Sequence, residues 1–308
     1  MQKRDHIDAF GAVALTGFAA LLAFNQVVIK VTNGGLQPVF FAGLRSAGAV
    51  VCVWLWIRLR GLPVGMAGPS VPWGLVTGVV FAAEFLCLFT ALDLTTVART
   101  SVIFYSMPVW MALGAHVLIP GDRIGPRKAL GLALAVAGVA WAMLVREEGT
   151  GSLAGDLAAL GAAMGWAATG LLVRATPLLE VRPETQLLWQ AAVSAPILLA
   201  LAPLFGPLVR DLQPIHLWGL AFQIVVVVSA GFVFWLWLLS IYPASGVASF
   251  SFLSPVFGVA LGWLLLDEPV GPSLVGALVL VALGLVLINR QVPQKVRSTT
   301  SSSVGGRR

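Results

Sequence analysis

Apolar residues run continuously through ten stretches of this chain, at about 9–29, 38–57, 71–92, 98–118, 128–145, 154–173, 186–205, 217–238, 245–266 and 272–289. Each approaches the ~20 residues that an α-helix needs to cross a bilayer. The stretches lack the period-two alternation of a lipid-facing barrel strand, so the pattern predicts helices. Short polar connections between them suit sequential helix hairpins. The fold class predicted is an all-α integral membrane protein with ten transmembrane helices. The first stretch follows Met1-Gln2-Lys3-Arg4 much as a signal peptide would. Its length, its ending in Asn25-Gln26 and the lack of a convincing cleavage site predict a retained helix instead.

Composition strengthens this picture. Of 308 residues, 58% are hydrophobic and only 10% charged, with a mean hydropathy of +0.93, against roughly 25% charged in soluble domains. The net charge of +6 raises a nucleic-acid partner only to dismiss it, because the charges are dispersed through short loops. They read better as topology. With the N-terminus inside, fourteen of the nineteen basic residues fall in cytoplasmic segments: Lys3, Arg4, Arg58, Arg60, Arg123, Arg127, Lys128, Arg174, Arg182 and five beyond 289. Lys30, Arg99, Arg146 and Arg210 fall at the other face, and Arg45 lies within the second span. The positive-inside bias then predicts a multi-pass protein of a bacterial inner membrane with both termini cytoplasmic. Segment 1–8 is expected to be a cytosolic N-terminus, and the Ser/Thr/Gly/Arg-rich 291–308 a disordered cytosolic tail. Cys52 and Cys87 sit in apolar runs without metal-ligand spacing and read as small hydrophobes.

The two halves of the chain resemble each other. Leu22–Lys30, "LAFNQVVIK", aligns with Trp166–Arg174, "WAATGLLVR", at an offset of 144. Pro38 and Arg45 align with Pro183 and Gln190 at 145, and Met107-Pro108-Val109 with Ser254-Pro255-Val256 at 147. Three ordered matches at nearly one offset predict duplication of a five-helix unit, with repeats at 9–146 and 153–290. Five is odd, so the second copy enters the membrane upside down. Inverted repeats are typical of secondary transporters, whose substrate site lies near the midplane between the copies.

The segment "AFNQVVIKVTNGGLQPVFFAGLRSAGA" resembles the first helix hairpin of EamA-type members of the drug/metabolite transporter superfamily. "LSIYPASGVASFSFLSPVFGVALGWLLLDEPVGPSLVGALVLVALGLVLINR" is similar to the end of the second EamA repeat. The resemblance covers about residues 10–290. It implies ten helices as two inverted repeats and transport of metabolites, often amino-acid export in bacteria. The usual Trp-Gly pair of helix one is replaced here by Leu22-Ala23.

Hydrolase, kinase and dinucleotide motifs are missing, and His6, His116 and His216 lie far apart, so neither an enzyme nor a cofactor is expected. Glu84, inside "FAAEFLCLF", is the most informative residue. An ionised carboxylate at that depth costs about 2.5–3.5 kcal/mol on insertion scales, so it must face a cavity, pair with a cation or be protonated. Its repeat partner is Gly231. Arg45 is its natural counter-ion, either as a static pair or as a guanidinium that binds a substrate carboxylate. Gln190 marks the matching interior position of the other half. Asn25 and Thr169, equivalent in helices one and six, read as cavity lining or as interhelical hydrogen bonding. Tyr105 and Phe252, equivalent aromatics ahead of Pro108 and Pro255, read as gate or stacking residues or as helix contacts, and Trp166 likewise. Pro108 and Pro255 predict bends in helices four and nine. Lys30 and Arg174 are expected to snorkel to opposite interfaces. The pairs Gly74/Gly78, Gly161/Gly165 and Gly258/Gly262 read as close backbone packing.

These features predict a secondary carrier of a small organic molecule in a lipid bilayer, open to proton coupling through Glu84. Other readings are a flippase for a lipid or lipid-linked sugar and a membrane sensor or scaffold. Substrate, direction and oligomeric state are not written in the sequence.

Overall fold

The structure is a computed structural model that describes residues 7–65, 68–146, 151–242, 250 and 252–289. Residues 1–6 of the N-terminal segment, part of the connection at 147–150, most of the start of the ninth apolar run and the tail at 291–308 lie outside the described residues. The described residues form helices α1 (Ala9–Asn33), α2 (Pro38–Leu59), α3 (Val71–Leu94), α4 (Val97–Phe104), α5 (Met107–Leu118), α6 (Pro126–Leu144) and α7 (Leu153–Ala175). They continue with α8 (Pro183–Leu201), α9 (Pro214–Phe222), α10 (Phe232–Ile241), α11 (Leu253–Leu266) and α12 (Pro272–Asn289). The only extended pairing among them is two isolated bridges, Leu36 with Val209 and Thr95 with Gly151.

Nine helical stretches among the described residues are long and apolar enough to cross a bilayer. This is a multi-pass membrane protein. Helices α4 and α5 together make one of the nine, and α9 and α10 make another through a π-helical segment at Gln223–Gly231. The apolar run expected at 245–266 is described only as the 14-residue α11.

Local chemistry explains where the helices begin. Proline opens α2, α6, α8, α9 and α12, where its missing N–H and fixed φ cost nothing. Asp8 and Ser152 cap α1 and α7 by accepting from the backbone N–H of Gly11 and Gly155, at 2.8 and 3.1 Å. The fourth span is interrupted rather than merely bent. Pro108 cannot donate to the carbonyl of Phe104, and the chain leaves the helix at Tyr105–Ser106, where the Ser106 hydroxyl donates to the Ile103 carbonyl at 2.6 Å. Similarly, α11 begins at Leu253, two residues before Pro255.

Packing follows the small residues. Helix α6 lies along α12, α3 runs between α7 and α8, α2 packs on α8, and α1 packs on α11. At the first of these crossings the backbones touch. A Cβ on Gly131 would lie 2.8 Å from the carbonyl of Gly284, and one on Gly138 would lie 2.8 Å from that of Ala277.

The turns gather at two ends. One face carries the α1–α2, α3–α4, α6–α7, α8–α9 and α11–α12 connections, joined by the two bridges and by Arg210 to Asp93 at 2.7 Å. The opposite, second face carries the α2–α3, α5–α6 and α7–α8 connections.

Candidate functional site

Glu84 sits in α3 ten residues before Leu94, about 15 Å from that helix end at 1.5 Å per residue. It is 3% exposed. Helix α7 presses on its stem: a Cβ on Gly165 would lie 2.9 Å from the Glu84 Cβ, and one on Gly161 would lie 3.2 Å from the Cys87 sulfur. The Gly161/Gly165 pair is therefore a packing pair, and what it packs around is the stem of Glu84 and the Cys87 side chain. One turn further along α7, Thr169 approaches Glu84.

Arg45, on α2, is the cation whose field acts on Glu84. The direct ion pair expected from the sequence is not formed. No ion pair among the described residues joins the two. Instead the guanidinium lies over the Phe85 ring, 4.2 Å from its centroid, with Phe89 beyond at 5.9 Å. A planar, weakly hydrated cation is stabilised on an aromatic face, which accounts for its resting on the ring beside the carboxylate. Glu84 Oε2, Arg45 Nε and Thr169 Oγ1 are all buried without a hydrogen-bond partner. Buried polar groups are ordinarily paired, so three such atoms in one neighbourhood are conspicuous.

A second polar cluster lies nearby. Ser101 donates to Gln26 Oε1 at 2.8 Å, and Tyr105 stands between Gln26 and Ser254. Asn25 accepts from Gln223, the first residue of the π-helical segment. Asn25 and Thr169 thus join different clusters rather than one shared lining. Gln190 is half-buried on α8, and Phe252 packs against the apolar cluster that includes Val259 and Leu274. Trp166 is 40% exposed and joins none of the buried clusters. Ser101, Ser254 and Gln223 were missed from sequence. A serine in an apolar helix reads as a packing residue, and Gln223 has no polar counterpart at Val76, its place in the other half.

Two clefts among the described residues bear on this site. One, of about 300 Å³ at the second face, is lined by Pro63, Gly65, Ser70, Pro177, Arg182 and Thr185, among others. The other, of about 170 Å³, is apolar and lies beside Val109, Trp110, Val139 and Met143. Neither is lined by Glu84 or Arg45, and both side chains are buried, at 3% and 8% exposed.

Charges also tie the first face together. Asp156, fully buried, receives Arg99 at 2.7 Å and Arg146 at 2.8 Å. Lys30 does not snorkel as expected. Its ammonium donates to the carbonyls of Leu92 and Thr95, at 3.0 and 2.7 Å, because the end of α3 presents unpaired carbonyls and a partial negative charge. Glu268, in the α11–α12 turn, accepts from the amides of Val97 and Ala98 at 2.7 and 2.9 Å. Burial pushes its carboxyl above the ordinary range, partly offset by those two amides and by Lys30.

Comparison with known proteins agrees with this architecture. The model of the EamA-like transporter family matches residues 9–144 and again residues 153–290. A protein of Escherichia coli (strain K12) named a probable amino-acid metabolite efflux pump is 27% identical over 304 residues, covering 93% of this chain and 95% of that one. One of the same name from Salmonella typhimurium is 29% identical, covering 86% and 92%. The uncharacterized transporter YvbV of Bacillus subtilis is 26% identical, covering 89% and 92%. A solved crystal structure shares the fold at a TM-score of 0.64 and 19% identity, covering 89% of this chain and 95% of that one.

Proposed function

We propose, from the premise that the chain belongs to the EamA-like transporter family, that it is a secondary carrier exporting amino acids or related small metabolites from the bacterial cytoplasm by alternating access. That the protein is a membrane transporter follows from the family. The finer reading rests on one observation above all. A carboxylate and a guanidinium, each with an unpartnered buried atom, lie deep in the membrane where α3 of the first matched segment meets α7 of the second. An amino acid offers both an ammonium and a carboxylate to such a pair, and the relatives named as amino-acid metabolite efflux pumps point the same way.

Ten spans in two inverted five-helix repeats, 9–146 and 153–290, complete the reading, with α11 in the ninth span. The contacts support it. Gly131 meets Gly284 and Gly138 meets Ala277; since Gly131 corresponds to Ala277 and Gly138 to Gly284, each contact is the image of the other. Likewise Gly155 abuts Thr95, and Gly11 abuts Tyr242, their equivalents at the opposite face. A two-fold axis in the membrane plane generates such pairs.

The test is efflux from proteoliposomes loaded with a panel of amino acids, with and without a pH gradient. Glu84→Gln is expected to keep its unfolding midpoint and to lose transport by about tenfold or more, the scale of one charge-assisted hydrogen bond. A fall in stability of roughly 3–5 kcal/mol, as for a broken buried pair, recovered by adding Arg45→Gln, would assign the two charges to architecture instead. Wild-type efflux by Glu84→Gln at every pH would remove Glu84 from the mechanism.

A further inference from the structure

The α3–α4 turn is held from both sides. Lys30, from α1, takes the carbonyls of Leu92 and Thr95 where α3 ends. Glu268, from the α11–α12 turn, takes the amides of Val97 and Ala98 where α4 begins. The two charges also act on each other. A cation on outgoing carbonyls and an anion on incoming amides each complement the local backbone dipole. The turn belongs to the first matched segment and Glu268 to the second, so this clamp joins the two halves across one face.

Glu268 is positioned by its neighbours. Asp267 ends α11 in the left-handed conformation, at φ 52°, a geometry that Asp tolerates better than most residues. This turns Glu268 back so that its own N–H donates to the Gly262 carbonyl at 3.2 Å. Gly262 then leaves room for the side chain: a Cβ there would lie 2.5 Å from Glu268 Oε2 and 3.2 Å from the Ala98 nitrogen. The glycine that the Gly258/Gly262 spacing marked as helix packing is the seat of a carboxylate.

The other face carries the counterpart. Lys30 corresponds to Arg174 at an offset of 144, and Glu268 corresponds to Asp122 at 146. Arg174 and Asp122 do approach each other, at 3.6 Å, with side chains 48% and 25% exposed, and Lys128 shares the carboxylate at 3.1 Å. The pair at the first face is drawn into the protein; its equivalent at the second face is wet and loose, on the same side of the molecule as the 300 Å³ cleft.

We propose that Lys30 with Glu268 and Arg174 with Asp122 are the two gates of the transport cycle, one at each face, closing in turn. The first gate is shut in this structure and the second is slack. This rests on the alternating-access reading above, and the following experiment separates the two.

In a chain whose only cysteine replaces Ser101, a side chain just inside the first gate, a membrane-impermeant maleimide is applied to right-side-out and inside-out vesicles. The parent is expected to label from the second face and not from the first. Glu268→Gln keeps the size of the side chain but replaces the anion with an amide that cannot accept from both backbone N–H groups. It should raise labelling from the first face by about tenfold, the factor carried by one charge-assisted hydrogen bond. Gly262→Ala should do the same by displacing the carboxylate, and Lys30→Arg should keep the gate shut. Asp122→Asn should raise labelling from the second face only. If Glu268→Gln and Gly262→Ala label as the parent does, the gates are overturned while alternating access stands. Equal labelling of the parent from both faces would overturn the shut first gate while alternating access stands. Passage of the maleimide through the parent into sealed vesicles would overturn alternating access itself, and the gates with it. A cysteine inert in every variant from both faces would also overturn the gates.

Discussion

A carboxylate that grips two backbone amides inside a closed gate has less water around it than when the gate opens. Glu268 is in that position, and burial holds its carboxyl above the ordinary range. The charges that face it are Lys30 from α1 and, beyond Lys30, Asp93 near the end of α3. The sign of the pH effect follows from linkage. The state with the higher pKa binds the proton more tightly, so falling pH favours the closed gate and rising pH favours its release. The neutral acid, unlike the amide of Glu268→Gln, keeps two oxygens that can accept from the Val97 and Ala98 amides. The window lies above the free glutamate value of about 4.3. Labelling of Ser101→Cys from the first face should therefore fall on acidification, and the dependence should vanish in Glu268→Gln. A wild-type profile as flat as that of the variant would show that the charge of Glu268 does not enter. At this scale the sequence was only partly legible. Glu84 and Arg45 stood out because charges are rare inside apolar runs. Glu268 did not, because next to Asp267 and Pro269 it reads as an ordinary polar connection. The distance between Glu84 and Arg45 was not legible at all, since the competing attraction of the Phe85 ring depends on how α2 rotates against α3.

Helices were the most legible level, because a bilayer demands long apolar runs and proline marks their starts. The boundaries of the nine long spans lie within a few residues of the runs read from sequence. What escaped was the internal irregularity of two of them. Pro108 predicted a bend, but the neighbouring Ser106 supplies a hydroxyl for the Ile103 carbonyl and stabilises a full interruption. The π-helical segment at Gln223–Gly231 carries no proline and gave no sign of itself. Such segments are frequent at functional sites, and this one opens on Gln223, the partner of Asn25. Small-residue spacing, by contrast, locates crossings well and can be tested directly. Gly138→Ala would place a methyl 2.8 Å from the Ala277 carbonyl, whereas at Gly17 nothing lies within 4 Å. Gly138→Ala should lower stability by about 1–3 kcal/mol through overpacking. Gly17→Ala should be neutral or slightly stabilising, since alanine favours helix. Unfolding midpoints in detergent compare them, and equal midpoints would mean that the α6–α12 crossing yields freely.

For the whole molecule, the contact of α6 with α12 has a consequence in assembly. On the inverted-repeat reading proposed above, Gly131 on Gly284 and Ala277 on Gly138 form an isologous interface, the kind by which two identical subunits pair about a two-fold axis. An interface of that form does not require a covalent link between its two sides, only that both sides reach the same membrane in opposite orientations. The connection between α6 and α7 is then a tether that raises local concentration rather than a structural element. Fragments 1–146 and 153–308, produced as separate chains in one cell, should find each other, copurify through a tag on either one and recover transport. Fragments that each insert but never associate would show that the tether itself guides the halves together. Association would mark the present single chain as a dimer whose two subunits have since become free to differ, with Glu84 opposite Gly231 as one product of that freedom.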